Sequence, residues 1–289
     1  MELSTFIQSI ANSIVQGSVY STVAVGLALG FGVMKMANFA HGEFYMLGAY
    51  VVFVLYTNLG LPFPLAVMAA FPIVAMVGML TERFIFRPTQ GNVLAGFMAT
   101  AGLAFILQVL VGQMWGVGLM RAIATPYKGA WEVAGAFIGW QRLLVVPAAI
   151  SMVLALWYFL FHVKVGKALR ACAQDPEVAA LQGISIKKIT LLAMAIAGGY
   201  AGIAGALMAP IQPVTPYMGH DIIITAFIVV IVGGMESIAG AVLAAFILGF
   251  IHTFVTTLYD GIVATMAGVA LMAFILAVKP EGLMGKVKA

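Results

Sequence analysis

Residues 142–209 read RLLVVPAAISMVLALWYFLFH, then VKVGKALRACAQDPEVAALQGISIKK, then ITLLAMAIAGGYAGIAGALMA. The outer two stretches, 142–162 and 189–209, are apolar and each has the length an α-helix needs to cross a bilayer, roughly 20 residues. The middle stretch is a polar island. It holds five of the chain's 14 Lys and Arg: Lys164, Lys167, Arg170, Lys187 and Lys188. Two membrane-length helices joined by a basic, structured loop is the reading from which the fold follows.

The rest of the chain repeats the apolar theme. Of 289 residues, 63% are hydrophobic and 8% charged, against about 25% charged in a soluble domain. Apolar segments are expected near 6–32, 43–58, 63–82, 93–115, 142–162, 189–209, 222–257 and 260–278. The seventh is too long for one straight helix and contains Gly233, Gly234 and Gly240, so it reads as broken. The fold class is all-α: a polytopic membrane protein with about eight transmembrane helices, some broken or re-entrant. Residues 1–289 read as one transmembrane domain, with a loop at about 163–188.

Charge placement gives an orientation. The island, Arg83 with Arg87, and the tail with Lys279, Lys286 and Lys288 are basic, and short basic loops stay on the cytoplasmic side. The connections near 57–63 and 209–221 have no Lys or Arg. This puts the N-terminus outside and the C-terminus inside. The loop 116–141 opposes it with Arg121 and Lys128, and it reads as an extracytoplasmic cap. Pro210, Pro213 and Pro216, followed by Tyr217, His220 and Asp221, read as a stiff extracytoplasmic turn, either a surface for an external solute-binding protein or an ordinary loop. The first segment lacks a basic leader, so no cleaved signal peptide is expected. A formal charge of +4 with no basic face interleaved with aromatics points away from nucleic acid. The single cysteine, Cys172, excludes an intramolecular disulfide and a multi-cysteine metal site.

Gly and Ala are concentrated inside the spans. Runs such as Ala197-Gly198-Gly199 and Ala201-Gly202-Ile203-Ala204-Gly205 read as close-packing faces, because lipid supplies no hydrophobic drive for helix association. The island itself reads as two short helices. Residues 166–173 place Leu169 and Cys172 on one face with Lys167 and Arg170 beside them. Asp175-Pro176-Glu177 is a helix start: a capping acid, a proline at the first helical position and a carboxylate in the first turn. Gly183 is placed to end that helix as a left-handed cap, and Ser185 to cap the next. A loop needs no such regular capping, so the island reads as a rigid knob for a soluble partner, with a solvated, orientation-setting loop as the alternative.

Two polar clusters sit among the spans. Asn38, His41 and Glu43 lie between apolar runs, with three readings open: a substrate contact, a break between helices, or an interfacial cap in which Glu43 favours a helix N-terminus. Gly233-Gly234-Met235-Glu236-Ser237 is the second. There a broken helix would expose backbone groups to a cavity, and Glu236 would meet a substrate ammonium or sit in interfacial water. A faint internal echo links Gly42-Glu43 ahead of Gly48-Ala49 with Glu236 ahead of Gly240-Ala241. No nucleophile accompanies His41, and no second His lies at ligand spacing, so neither catalysis nor a metal is expected.

Four segments carry a family resemblance: GKALRACAQDPEVAALQGI (166–184), NFAHGEFYMLGAY (38–50), ERFIFRP (82–88) and KPEGLMG (279–285). In order and spacing the chain resembles branched-chain amino acid ABC permeases of the LivH type. The resemblance implies a non-catalytic permease in a bacterial cytoplasmic (inner) membrane, with 163–188 as the loop that couples it to ATPases. It makes Gly166, Arg170, Ala171, Asp175, Ala179, Gly183 and Ile184 the coupling positions. It implies a homologous second permease subunit of the LivM type, two cytoplasmic ATPase subunits, and an extracytoplasmic solute-binding protein. ATP and Mg belong to the ATPases, and no cofactor is expected on this chain. Where this chain has Glu236, family members usually have a small residue. The candidate substrate pathway is Asn38, His41, Glu43, Gly233, Gly234 and Glu236.

The chain has no GxxxxGK[ST] sequence, so ATP hydrolysis is not its own work. Urea, short amides and other small carboxylates are alternative cargo for the same importer class. A passive small-solute channel is a different class; Asn38-Phe39-Ala40 superficially resembles an aquaporin Asn-Pro-Ala box but lacks the proline and a second copy. A membrane enzyme would need a convergent set of His, Asp and Ser that the sequence does not offer.

Overall fold

The computed structural model of the protein describes residues 2–285; Lys286 and Lys288 of the basic tail lie outside them. Eleven α-helices are found among these residues. They are α1 (Leu3–Met34), α2 (His41–Val52), α3 (Phe63–Thr81), α4 (Val93–Trp115), α5 (Trp140–His162), α6 (Lys164–Gln174), α7 (Pro176–Leu181), α8 (Ile186–Met208), α9 (Met218–Gly233), α10 (Ile238–Leu258) and α11 (Gly261–Val278). Two π-helical segments, Phe53–Asn58 and Glu82–Phe86, extend α2 and α3. Seven of the helices are long and apolar enough to cross a membrane. The protein is a polytopic, all-helical membrane protein.

The expected break in the seventh apolar segment falls at 234–237, separating α9 from α10. Ser237 caps α10, its hydroxyl accepting from Gly240 N at 3.0 Å. Two ends of the molecule can be recognised. At the island end lie the last residue of α3, the first turn of α8, the α9–α10 turn and the C-terminal segment. Lys35, just past α1, bonds Glu236 there at 2.6 Å. At the opposite, cap end, the strands β1 (Ala130–Val133) and β2 (Ala136–Gly139) form a hairpin. Arg121 pairs by backbone with Val214, its guanidinium donates to Trp115 O at 2.6 Å, and it lies over the Phe53 ring. Of the two basic residues that opposed the charge rule, Arg121 is thus held by the cap's own structure.

Helices α1, α2, α8 and α9 form the buried centre, wrapped by the others. α1 is buried along most of its length although it carries Ser13, Ser18 and Thr22. Their hydroxyls donate to carbonyls one turn back, at 2.7, 2.7 and 3.0 Å, so they enter the interior satisfied. α1 packs most extensively on α10, and α3 on α8. The small-residue face expected on α8 makes this possible. A Cβ on Gly199 would meet the Phe71 ring at 2.6 Å, and one on Gly202 would meet Val74 at 2.7 Å.

α2 and α9 are short and both start inside the molecule. α9 has 16 residues, roughly 24 Å at 1.5 Å per residue, against a hydrocarbon layer of about 30 Å. Gly42, second in α2, and Gly219, second in α9, touch backbone to backbone, each facing the other's carbonyl. The packing echoes across the chain: α3 lies on α8 as α10 lies on α1, α2 lies on α3 as α9 lies on α10, and α2 meets α9. The two segments of the echo expected from sequence stand at the starts of α2 and α10.

Candidate functional site: the island, its footing and the mid-depth polar level

α6 and α7 form the knob expected at 163–188. Asp175 caps α7, its Oδ1 accepting from Glu177 N at 2.9 Å and Val178 N at 3.0 Å. Removing that cap in Asp175→Ala is expected to cost about 1 kcal/mol of α7 stability, read as faster amide exchange confined to 176–181. Unchanged exchange would sink the assignment. Gly183 is left-handed at φ +80°, and Ile184 N bonds Ala179 O at 3.2 Å, closing the helix as expected. Ser185 sits at the next N-cap, but its side chain makes no capping bond; its carbonyl alone serves α8.

Most of the positions expected to couple build the knob rather than face out of it. Gly166 lets α6 turn back against α5, since a Cβ there would collide with Phe159 O and lie 2.7 Å from Leu160 Cα. Arg170 also turns inward: Nε donates to Leu160 O at 3.0 Å, and its guanidinium covers the Phe161 ring. That cation closes the carbonyl end of α5. Leu169, Cys172 and Ala179 are buried, Ala171 and Ile184 half-buried, Asp175 and Gly183 exposed. The outward surface comes from residues the sequence reading did not single out, Leu181 at 85% and Val178 at 52% exposure. An exposed Leu on a capped six-residue helix is the readable signal for a contact point.

The knob stands on a buried ion pair. Glu82, 1% exposed, receives Arg87 Nη2 at 2.8 Å, Nε at 3.4 Å and Thr190 Oγ1 at 2.8 Å. This ties the end of α3 to the first turn of α8, where the island rejoins the membrane helices. It is the physical content of ERFIFRP. KPEGLMG has a similar role: Leu283 N bonds Val232 O at 2.8 Å and Met284 N bonds Gly233 O at 3.1 Å. The C-terminal segment thereby satisfies carbonyls at the end of α9, which no further turn of helix would reach.

Asn38, His41 and Glu43 come together, and they are deep. His41 Nε2 lies 3.1 Å from Val23 O in the middle of α1. Asn38 Oδ1 accepts from Ala40 N at 3.1 Å. Glu43 accepts from Gln108 Nε2 at 2.8 Å, while its second oxygen has no partner and faces Gly219, where a Cβ would lie 2.8 Å from it. All three are buried, which replaces the interfacial cap with a break and helix start inside the protein. Glu43 stands in the first turn of α2, where a carboxylate suits the helix dipole.

The second cluster is elsewhere. Gly233 packs on Gly240, and Gly234, at φ +103°, packs on Glu281 and Gly285. Glu236 is half exposed and paired with Lys35, at the island end and apart from Asn38, His41 and Glu43. The turn expected at 210–221 ends earlier than the sequence suggested. His220 and Asp221 lie in the first turn of α9.

The model of one protein family, described as the permease component of the branched-chain amino acid transport system, matches residues 9–278. The high-affinity branched-chain amino acid permease protein LivH of Escherichia coli is 31% identical over 97% of this chain and 96% of its own. LivM of the same organism's system is 25% identical over 92% of this chain and 68% of its own. Among solved structures, a chain of PsaBC from Streptococcus pneumoniae in complex with Fab superposes with a TM-score of 0.54, covering 97% of both chains at 13% identity. That last likeness is one of fold.

Proposed function

The chain belongs to the branched-chain amino acid transport permease family, and from that membership we propose that it is the membrane subunit of an ATP-driven importer of branched-chain or similar small amino acids. Two cytoplasmic ATPase subunits bind and hydrolyse ATP with Mg. An extracytoplasmic solute-binding protein delivers substrate to the cap end. The second membrane subunit is a homologue of the LivM type, a reading supported by the match to both permeases of one system. The island end then faces the cytoplasm of a bacterial inner membrane, and the N-terminus faces outward.

One observation carries the reading: a rigid, capped helical knob presents exposed Val178 and Leu181 at one end of an otherwise apolar bundle. Force on α7 passes through Arg170 to the end of α5 and through the Glu82–Arg87–Thr190 bonds to α3 and α8. The named coupling positions keep the knob in shape, and Val178 and Leu181 enter the groove of the ATPase.

Leu181→Glu places a charge in that apolar contact while touching nothing inside the permease. The ATPase subunits are expected to fall away on co-purification, with permease yield and melting unchanged. Gly183→Pro is expected to uncouple ATP hydrolysis from uptake with insertion intact. It removes the Gly183 N bond to Ala180 O and cannot adopt φ +80°. Retained ATPase capture by Leu181→Glu, or normal uptake by Gly183→Pro in vesicles, would overturn the assignment of the knob.

A further inference from the structure

Asp221 is a carboxylate on the outside of the protomer at bilayer depth. It lies two residues after Gly219, whose Cα is pressed against Gly42 and the Glu43 carboxyl. Twelve residues separate it from Gly233, the end of α9 at the island end, which at 1.5 Å per residue is roughly 18 Å into a layer of about 30 Å. Its neighbours Ile222 and Ile223 are buried, whereas His220 and Asp221 are exposed. No side-chain hydrogen bond or ion pair to the Asp221 carboxylate is found among the described residues. A carboxylate cannot be left in lipid at that depth; it faces a cavity, water or a partner.

The surroundings are polar on the same side. Thr225, one turn along α9, donates to Asp221 O at 3.2 Å. Gln16 and Thr225 flank the Tyr20 hydroxyl of α1, with Asp221 close by. The Tyr20 ring meets His252 of α10 edge to face, with centroids 6.2 Å apart. Three helices thus bring polar side chains to one level, beside the short α9 that starts there.

We propose that this face, centred on Asp221, is the mid-membrane wall of the substrate route, and that the Asp221 carboxylate receives the ammonium group of the passing amino acid. The proposal rests on the importer reading above and adds a subsite to it. An amino acid crossing the bilayer must exchange the water on its ammonium group for protein oxygens. Asp221 supplies a charged acceptor, with the Thr225 hydroxyl one turn along the same helix. Glu43, sealed behind Gly219, is then a helix-start group for α2.

The test uses the complete transporter, with its second membrane subunit, ATPases and binding protein, in proteoliposomes. Asp221→Asn is expected to lower binding-protein-dependent uptake of leucine roughly tenfold or more, the size of effect expected when a hydrogen bond to a charged group is lost. ATPase activity and subunit assembly are expected to persist, and Asp221→Glu to restore part of the uptake. In a Cys172→Ser background, Asp221→Cys is expected to react with a cationic, membrane-impermeant thiosulfonate, and leucine-loaded binding protein with ATP is expected to slow that reaction. Wild-type uptake by Asp221→Asn, or an unreactive cysteine at 221 in an assembled complex, overturns the proposal. If the unmodified complex imports no amino acid, the importer reading fails instead, and the cysteine reaction still decides whether residue 221 faces water.

Discussion

Arg87→Ala is expected to lower the stability of the permease by about 3–5 kcal/mol, the cost of stranding one member of a buried pair. Glu82 is 1% exposed and takes two bonds from Arg87 and one from Thr190. Without the guanidinium its charge is held only by a hydroxyl. The consequence reaches beyond stability, because the pair joins α3 to α8 at the foot of the α6–α7 knob. Thermal melting in detergent should fall by about 10 °C, and reconstituted uptake should fall with it. Glu82→Gln in the Arg87→Ala background removes the stranded charge, keeps an acceptor for Thr190, and should recover most of the loss. Arg87→Lys should recover little, since an ammonium cannot bind the carboxylate in fork geometry. An unchanged melt for Arg87→Ala would refute the buried-pair account.

Gly48→Val is the second large effect. α2 crosses α8 where Gly48 meets the Gly202 carbonyl and Gly205 meets the Tyr45 carbonyl, and a Cβ at either glycine would overlap backbone atoms. Backbone cannot swing aside as a side chain does. The two helices must separate, at the upper end of the ~1–3 kcal/mol typical for overpacking. Separation also shifts the start of α2, moving Glu43 away from Gln108 and opening the Gly42–Gly219 contact. Gly48→Val should therefore lose uptake even at temperatures where it remains folded. Gly30→Ala is the matched control: its Cβ would meet Ala197 and Met194 at 3.6 and 3.7 Å, ordinary contact, so both melting and uptake should stay near wild type. Equal behaviour of the two variants would show that the crossing is not as tight as described.

The caps at Asp175 and Gly183 were legible because capping is local: a carboxylate two residues from an amide, a glycine where φ must be positive. The small-residue face of α8 was legible because its period is that of one helix. Arg170 was not, because its partners, Leu160 O and the Phe161 ring, lie on the preceding helix and require α6 to fold back. Glu82 and Arg87 lie five residues apart in the sequence, yet Thr190, the other partner of Glu82, is 108 residues from it. Glu236 stood out as a carboxylate beside the Gly233-Gly234 break, and only the turn of α1 at Lys35 supplied its partner. His220 and Asp221 looked like part of a loop because three prolines precede them, and a helix start at mid-depth has the same polar, proline-flanked signature as a surface turn.

By itself the sequence determined that this chain lives in a bilayer, roughly where its helices run, and that the island at 163–188 is a capped, helical element. Those properties follow from transfer free energies and from hydrogen bonds within a few residues. The tertiary structure decided which groups face water, protein or lipid at each depth. It put Glu43 behind a glycine seam, Glu236 at the island end beside Lys35, and Asp221 on an outer face in the first turn of α9. In lipid the cost of a charge depends on depth and on neighbours, and both are set by how distant helices cross.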